Sequence, residues 1–314
     1  MIVDIDSVYS FHQIGKRDNQ EDSRFPDVDH PQNNAPVFVV CDGVGGCEKG
    51  EVASETVCES IGKEMGNHNN HDEFSDKDFQ KVLRKAYDAL DKASNESNRG
   101  MGTTLTFLTP HSNGVLAAHI GDSRIYQFRP KEGIIYRSED HSLVNALLRS
   151  GNISPEQVKG HPRSNVITRC MNANDGVRER DEATVINLQD IAPGDYFLLC
   201  SDGVTSVWND EELIELYSSD RDDEEKIRLL AERSKESDDN NTAIQIHVGL
   251  VTVNPEISTE INEELLNEVD IDVREETAVV TQKLNRKEAS THDISAEAES
   301  TGFNLKSFFS RLFK

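Results

Sequence analysis

Twice in this chain an apolar run ends on an aspartate and a glycine, in Val39-Val40-Cys41-Asp42-Gly43 and in Leu198-Leu199-Cys200-Ser201-Asp202-Gly203. A short run with no polar alternation, bounded by turn residues, reads as a strand buried on both faces. Each aspartate is then delivered at the end of a core strand. Further β-rich runs lie over 103–108, 115–120, 124–128 and 243–250, with a shorter one over 8–11. Helical spacing of apolar residues recurs over 51–65, 79–93, 143–148, 213–217 and 227–231. Only Gly121-Asp122-Ser123 separates the runs at 115–120 and 124–128. That spacing predicts a tight hairpin, and with it a largely antiparallel α+β arrangement of sheet covered by helices.

Carboxylates gathered at neighbouring strand ends repel one another unless a cation compensates. Further acids are available to such a cluster: Asp238-Asp239 before the run at 243, and Glu21-Asp22 in Arg17-Asp18-Asn19-Gln20-Glu21-Asp22. Arg17 adds a planar fork of donors that fits a pair of phosphate oxygens. Asp122 either joins this site or satisfies the backbone of its turn. Oxygen-only ligation, with no paired cysteine or histidine, selects magnesium or manganese over zinc. The glycines after Asp42 let the backbone approach a ligand or offer a carbonyl to a hard cation. They form neither a dinucleotide fingerprint nor a Gly-Lys-Ser/Thr phosphate loop.

The 33 basic against 58 acidic residues, a net charge of −25, exclude a nucleic-acid backbone as the main partner. An enzyme working on anionic groups in such a field needs local positive charge, which divalent cations supply. The five cysteines show no zinc spacing and read as reduced thiols. Asp4 and Asp6 interrupt any apolar segment after Met1, and no apolar stretch reaches membrane-spanning length, so the expected location is cytoplasmic.

Taken in order, these pieces resemble the metal-dependent protein phosphatases of type 2C, in their bacterial serine/threonine form. The resemblance runs over about 7–251. It rests on Arg17 to Asp22, on Val40-Cys41-Asp42-Gly43-Val44-Gly45-Gly46, on Gly102-Thr103-Thr104 and on His119-Ile120-Gly121-Asp122-Ser123-Arg124. It continues through Asp140-His141-Ser142-Leu143 and Ser201-Asp202-Gly203-Val204 to Asp239-Asn240-Asn241-Thr242. It implies a four-layer α-β-β-α sandwich of two antiparallel sheets with a metal cleft at one end. It also implies that Asp42 bridges two Mg²⁺ or Mn²⁺ ions, that the Gly43 carbonyl binds one, and that Asp202 and Asp239 complete the other. Glu21 and Asp22 would bind directly or through water, Asp122 would serve a weaker third ion, and Arg17 would hold the phosphate. A water between two ions would attack phosphorus in line. Val44 stands where animal members carry a histidine that donates the leaving-group proton, which leaves that role to water at the third ion. His141 and His161 read as structural.

Residues 150–180, punctuated by Gly151, Pro155, Gly160, Pro162 and Gly176, read as a mobile flap. Arg163 and Arg169 are its candidate phosphopeptide contacts, with a solvated loop as the alternative. After a catalytic domain over 1–253, residues 254–300 read as an acidic disordered linker. In 301–314, Leu305, Phe308, Phe309 and Leu312 recur at helical spacing among Lys306, Arg311 and Lys314. Such a segment docks a partner, lies on an anionic membrane or folds back on its own enzyme. The expected substrate is a phosphoprotein, a serine/threonine kinase or its target. Competing readings are a non-catalytic phosphatase-like scaffold and a phosphatase of small metabolites.

Overall fold

The computed structural model describes residues 1–44, 49–94, 100–158, 161–163, 165–173 and 179–252. The linker at 254–300 and the amphipathic segment at 301–314 lie outside the described residues. In chain order the strands are β1 (Ile2–Gln13), β2 (Asp22–Phe25), β3 (Phe38–Asp42), β4 (Gly102–Thr103), β5 (Leu105–His111) and β6 (Gly114–Ile120). They continue as β7 (Arg124–Arg129), β8 (Gly133–Arg137), β9 (Met171–Asn172), β10 (Thr184–Leu188), β11 (Tyr196–Cys200) and β12 (Asn241–Thr252). The helices are α1 (Gly50–Met65), α2 (Asp76–Ala93), α3 (Leu143–Arg149), α4 (Pro155–Val158), α5 (Asp202–Thr205), α6 (Asp210–Ser218) and α7 (Asp223–Ser234).

Two five-stranded antiparallel sheets result, ordered β1-β12-β11-β7-β8 and β10-β6-β5-β3-β2. The strands' period of two explains the layering. In β3, Phe38 and Val40 face the other sheet, meeting Phe197, Leu199 and Ile246. Val39 and Cys41 face α1 and α2, meeting Val57, Ile61 and Phe79. In β11, Leu198 and Cys200 face α6 and α7, meeting Leu213, Tyr217 and Leu230. Both strands are apolar throughout because both faces are covered, as the four-layer sandwich requires.

One expectation fails in its route. β6 and β7 do not form a hairpin: β6 pairs with β5 and β10, whereas β7 pairs with β8 and β11. Gly121-Asp122-Ser123 instead carries the chain from one sheet to the facing one. A short polar link between two apolar runs has the same sequence signature in both cases, so spacing alone does not distinguish them. The consequence is functional, because Asp122 sits where the chain changes sheets, at one end of the sandwich.

Candidate active site

That end is a cleft of ≈ 340 Å³ lined by Arg17, Glu21, Asp42, Gly43, Thr104, Asp122, Asp202, Asp239 and Asn240, among others. Both sheets contribute. Asp42 ends β3 and shares the inward face of Phe38 and Val40, and Asp22 stands opposite it in register on β2. From the facing sheet, Asp202 opens α5 directly after β11, and Asp239 precedes β12. The Asp42 backbone is fixed on both sides: its N–H donates to Thr104 Oγ1 (2.9 Å), and its carbonyl accepts from Thr104 N–H (2.8 Å) and Thr103 Oγ1 (2.9 Å). Thr104 Oγ1 in turn lies 2.7 Å from Ser123 Oγ, beside Asp122.

The electrostatics of this cluster are unfavourable as it stands. Burial pushes the Asp22 carboxyl up to about 7, with Asp202 and Asp239 adding to the rise and a hydrogen bond from Ser201 Oγ (2.8 Å) opposing it. Asp122 is likewise pushed up to about 7, first by burial and then by Asp202 and Asp140. Burial raises Asp42 well above the ordinary range, and Asp22, Asp202, Asp122 and Asp239 reinforce the rise. Asp202 rises through burial and the neighbouring Asp239, and Glu21 rises through burial and Glu51. Asp22 Oδ1 and Asp202 Oδ1 are buried with no hydrogen-bond partner. An unpaired buried polar atom costs about 1–3 kcal/mol, and more when charged. Orphaned oxygens in a purely oxygen donor set are what a hard divalent cation requires, so these residues fit Mg²⁺ or Mn²⁺.

The one guanidinium among the lining residues is Arg17, half exposed, whose Nη2 donates to Asp239 Oδ2 at 2.7 Å. Of the neighbouring acids, Asp18 is exposed and Asp238 pairs with Lys16 at 2.8 Å on the surface, so neither belongs to the cleft. From the flap, Asn165 and Ile167 line the cleft, while Arg163 and Arg169 do not. Arg169 donates to the Glu182 carbonyl at 3.2 Å. The flap is anchored: Thr168 N–H donates to the His141 carbonyl (2.7 Å), Leu143 N–H to the Val166 carbonyl (2.8 Å), and β9 pairs with β4.

His141 does structural work. Its Nδ1 accepts the Gly121 N–H at 3.1 Å, which leaves Nε2 to donate to Thr184 Oγ1 at 2.9 Å. Burial, the stacked His119 ring and nearby arginines hold it down to about 3, so it is neutral. His161 Nδ1 accepts from Arg163 N–H at 3.1 Å. Sequence reading missed Thr104, Asn165, Ile167 and Asn240 as lining residues. Thr104 and Asn240 sat inside quoted motifs with no role assigned, whereas nothing in the flap's sequence singled out Asn165 or Ile167.

A profile described as Protein phosphatase 2C matches residues 14–243. The chain belongs to the protein phosphatase 2C family. As a protein phosphatase of this family it is similar to the protein phosphatase PhpP of Streptococcus pneumoniae, 35% identical over 216 residues that span 65% of this chain and 81% of that one. Its fold matches the serine/threonine phosphatase Stp1 from Staphylococcus aureus with a TM-score of 0.65 at 28% identity, covering 80% of this chain and 98% of that one. It also matches the catalytic domain of the serine/threonine protein phosphatase PstP, solved with two manganese ions, with a TM-score of 0.63 at 25% identity over 80% of this chain and 100% of that one. Among the described residues no helix is long and apolar enough to cross a membrane.

Proposed function

We propose that this cleft hydrolyses phosphoserine and phosphothreonine in proteins with Mg²⁺ or Mn²⁺ as cofactor. The observation that carries the reading is the set of carboxylates raised first by burial and then by one another's charge, and orphaned at Asp22 Oδ1 and Asp202 Oδ1, beside a half-exposed arginine. Asp42, the Gly43 carbonyl, Asp202 and Asp239 would hold a pair of ions, with Glu21 and Asp22 supporting them and Asp122 serving a third. Bound there, divalent cations supply Lewis-acid neutralisation of phosphate charge and a nucleophile drawn from water at neutral pH. The chain's own residues do the rest. Arg17 presents its fork at the cleft mouth, where it orients a phosphate by paired hydrogen bonds and offsets charge on its non-bridging oxygens. Ser201 and Thr104 hold Asp22 and Asp42 in place. His141 is occupied at both ring nitrogens and cannot serve as the leaving-group acid, and Val44 carries no proton, so the proton reaches the departing serine or threonine oxygen from water on the Asp122 side.

The flap, through Asn165 and Ile167, would meet the peptide rather than the phosphate, and the amphipathic segment at 301–314 would tether a partner. Manganese titration of phosphate release from phosphoserine and phosphothreonine peptides tests the activity, with a phosphotyrosine peptide and a small sugar phosphate for comparison. Silence in excess manganese would establish a scaffold instead, and faster turnover of the sugar phosphate would establish a metabolite phosphatase. Truncation at Pro255 that abolishes partner capture while sparing turnover supports the tether.

A further inference from the structure

Asn240 follows a proposed metal ligand, is only 4% exposed, and has every polar side-chain atom committed to backbone. Its Oδ1 accepts the Glu21 N–H at 2.8 Å, and its Nδ2 donates to the carbonyls of Ile14 (2.8 Å) and Asn19 (2.9 Å). A donor on one side and two acceptors on the other fix the amide's orientation. Ile14 opens the β1–β2 loop that carries Arg17, and Asn19 and Glu21 lie in its closing half. One amide therefore closes that loop.

The contact with this loop is also unusually close. A Cβ on Gly15, whose φ is +61°, would stand 2.1 Å from the Asp239 carbonyl oxygen, and one on Gly203 would stand 2.0 Å from the Asn240 carbonyl oxygen. The Asp239–Asn240 backbone thus passes between two residues that must lack side chains, one in the arginine loop and one beside Asp202. The Asn240 N–H donates to Asp239 Oδ1 at 2.9 Å, orienting the carboxylate that Arg17 also contacts.

We infer that Asn240 is a positioning residue for phosphate capture: its side-chain amide sets the Arg17 loop against Asp239, so that the guanidinium is pre-organised over the cleft. This rests on the reading of Arg17 as the phosphate-binding group. Nothing in the amide reaches the cations' proposed ligand oxygens other than through the backbone, so its loss acts on phosphate affinity before it acts on metal affinity.

The test is a double-mutant cycle on the metal-loaded full chain, with Arg17→Ala and Asn240→Ala singly and combined. It reads KM and kcat for a phosphothreonine peptide, the inhibition constant of inorganic phosphate, and the manganese concentration at half-activation. Asn240→Ala is expected to raise KM and the phosphate inhibition constant in parallel by about tenfold, to leave half-activation within about twofold, and to add nothing on the Arg17→Ala background. Asn240→Ser is the second variant: it removes the bridge to the Ile14 and Asn19 carbonyls while leaving a neutral polar group, and no added charge, in the buried site. It should show the same pattern if Asn240→Ala fails to fold. A full effect of either Asn240 variant on the Arg17→Ala background, or an effect confined to kcat and metal activation, overturns the inference. If Arg17→Ala itself leaves phosphate inhibition unchanged, the reading of Arg17 fails first, and the two failures are thereby distinguished.

Discussion

Proton release on metal binding offers the sharpest test of the carboxylate cluster. In the cation-free chain Asp22 and Asp122 are each pushed up to about 7, and Asp42 and Asp202 are raised as well. Below pH 7 at least two of these groups hold protons that a divalent cation must displace. Affinity is therefore retained above pH 7 and lost as the pH falls, by about 100-fold per pH unit for two protons. The same shifts bear on the fold. A carboxyl raised in the folded state leaves stability intact below its unfolded pKa of ~3.9 and withdraws it as the pH climbs through 7, which for Asp22 amounts to ~4 kcal/mol.

Burial also lowers His12, His111, His119 and His141, and these groups act in the opposite sense, removing stability as the pH falls. They are common to the loaded and free protein, so the difference between the two isolates the carboxylates. Calorimetric titration with Mn²⁺ at pH 6 in buffers of different ionisation enthalpy should count about two protons released per chain, falling below one by pH 8.5. Binding at pH 6 without proton release would show that the cluster is not what holds the cation.

If Asp122 holds the water that would protonate the leaving group, as proposed, Asp122→Ala should lower turnover about tenfold at saturating manganese; unchanged turnover would remove Asp122 from the mechanism. Replacing all five cysteines by alanine should leave phosphate release intact at some cost in melting temperature, since Cys41, Cys58 and Cys200 are buried and burial pushes the Cys200 thiol up to about 12, away from a nucleophilic thiolate; abolished turnover in a folded variant would refute metal-based hydrolysis. Asp223 joins α7 to the first sheet, accepting from Tyr196 OH (2.6 Å), Ser7 Oγ (2.5 Å) and His247 Nδ1 (2.8 Å), and these bonds hold its carboxyl below the usual range despite burial. Asp223→Ala should cost ~2–4 kcal/mol in urea unfolding at pH 7 with kcat unchanged, and the wild-type advantage should begin to shrink only below pH ~4, falling progressively as the pH approaches the carboxyl's lowered folded-state pKa; a variant of equal stability would show the network to be ornamental.

Much of the architecture was legible because the core strands are covered on both faces. Continuous apolar runs at β3, β6 and β11 announce themselves without alternation. β2 was hidden, since Asp22-Ser23-Arg24-Phe25 reads as the tail of a charged loop, and only pairing with β3 makes it a strand. β10 was missed for the opposite reason: it lies at a sheet edge, where Thr184 and Asn187 are exposed and Val185 and Ile186 only partly buried, a pattern that gives no periodic signal. At the site, Asp42, Asp202 and Asp239 were legible at strand ends, but the switch between sheets at Asp122 was not, because connectivity depends on partners distant in sequence. Asn240 was invisible as a loop clamp for the same reason: its partners lie 219 to 226 residues away.

The chain's change of sheet at Gly121-Asp122-Ser123 belongs to a wider pattern, in which Asp22, Asp42 and the opposing Asp202 and Asp239 come from opposite halves of the sandwich. A cation shared across that divide is a rivet through two plates. Slippage of one sheet over the other by a fraction of a residue spacing would separate the rivet's holes while leaving each sheet internally intact. On the proposed ligand set, catalytic competence would gauge inter-sheet alignment, and substitutions deep in the Phe38, Val40, Leu199 and Ile246 layer should register in metal activation before they register in strand content.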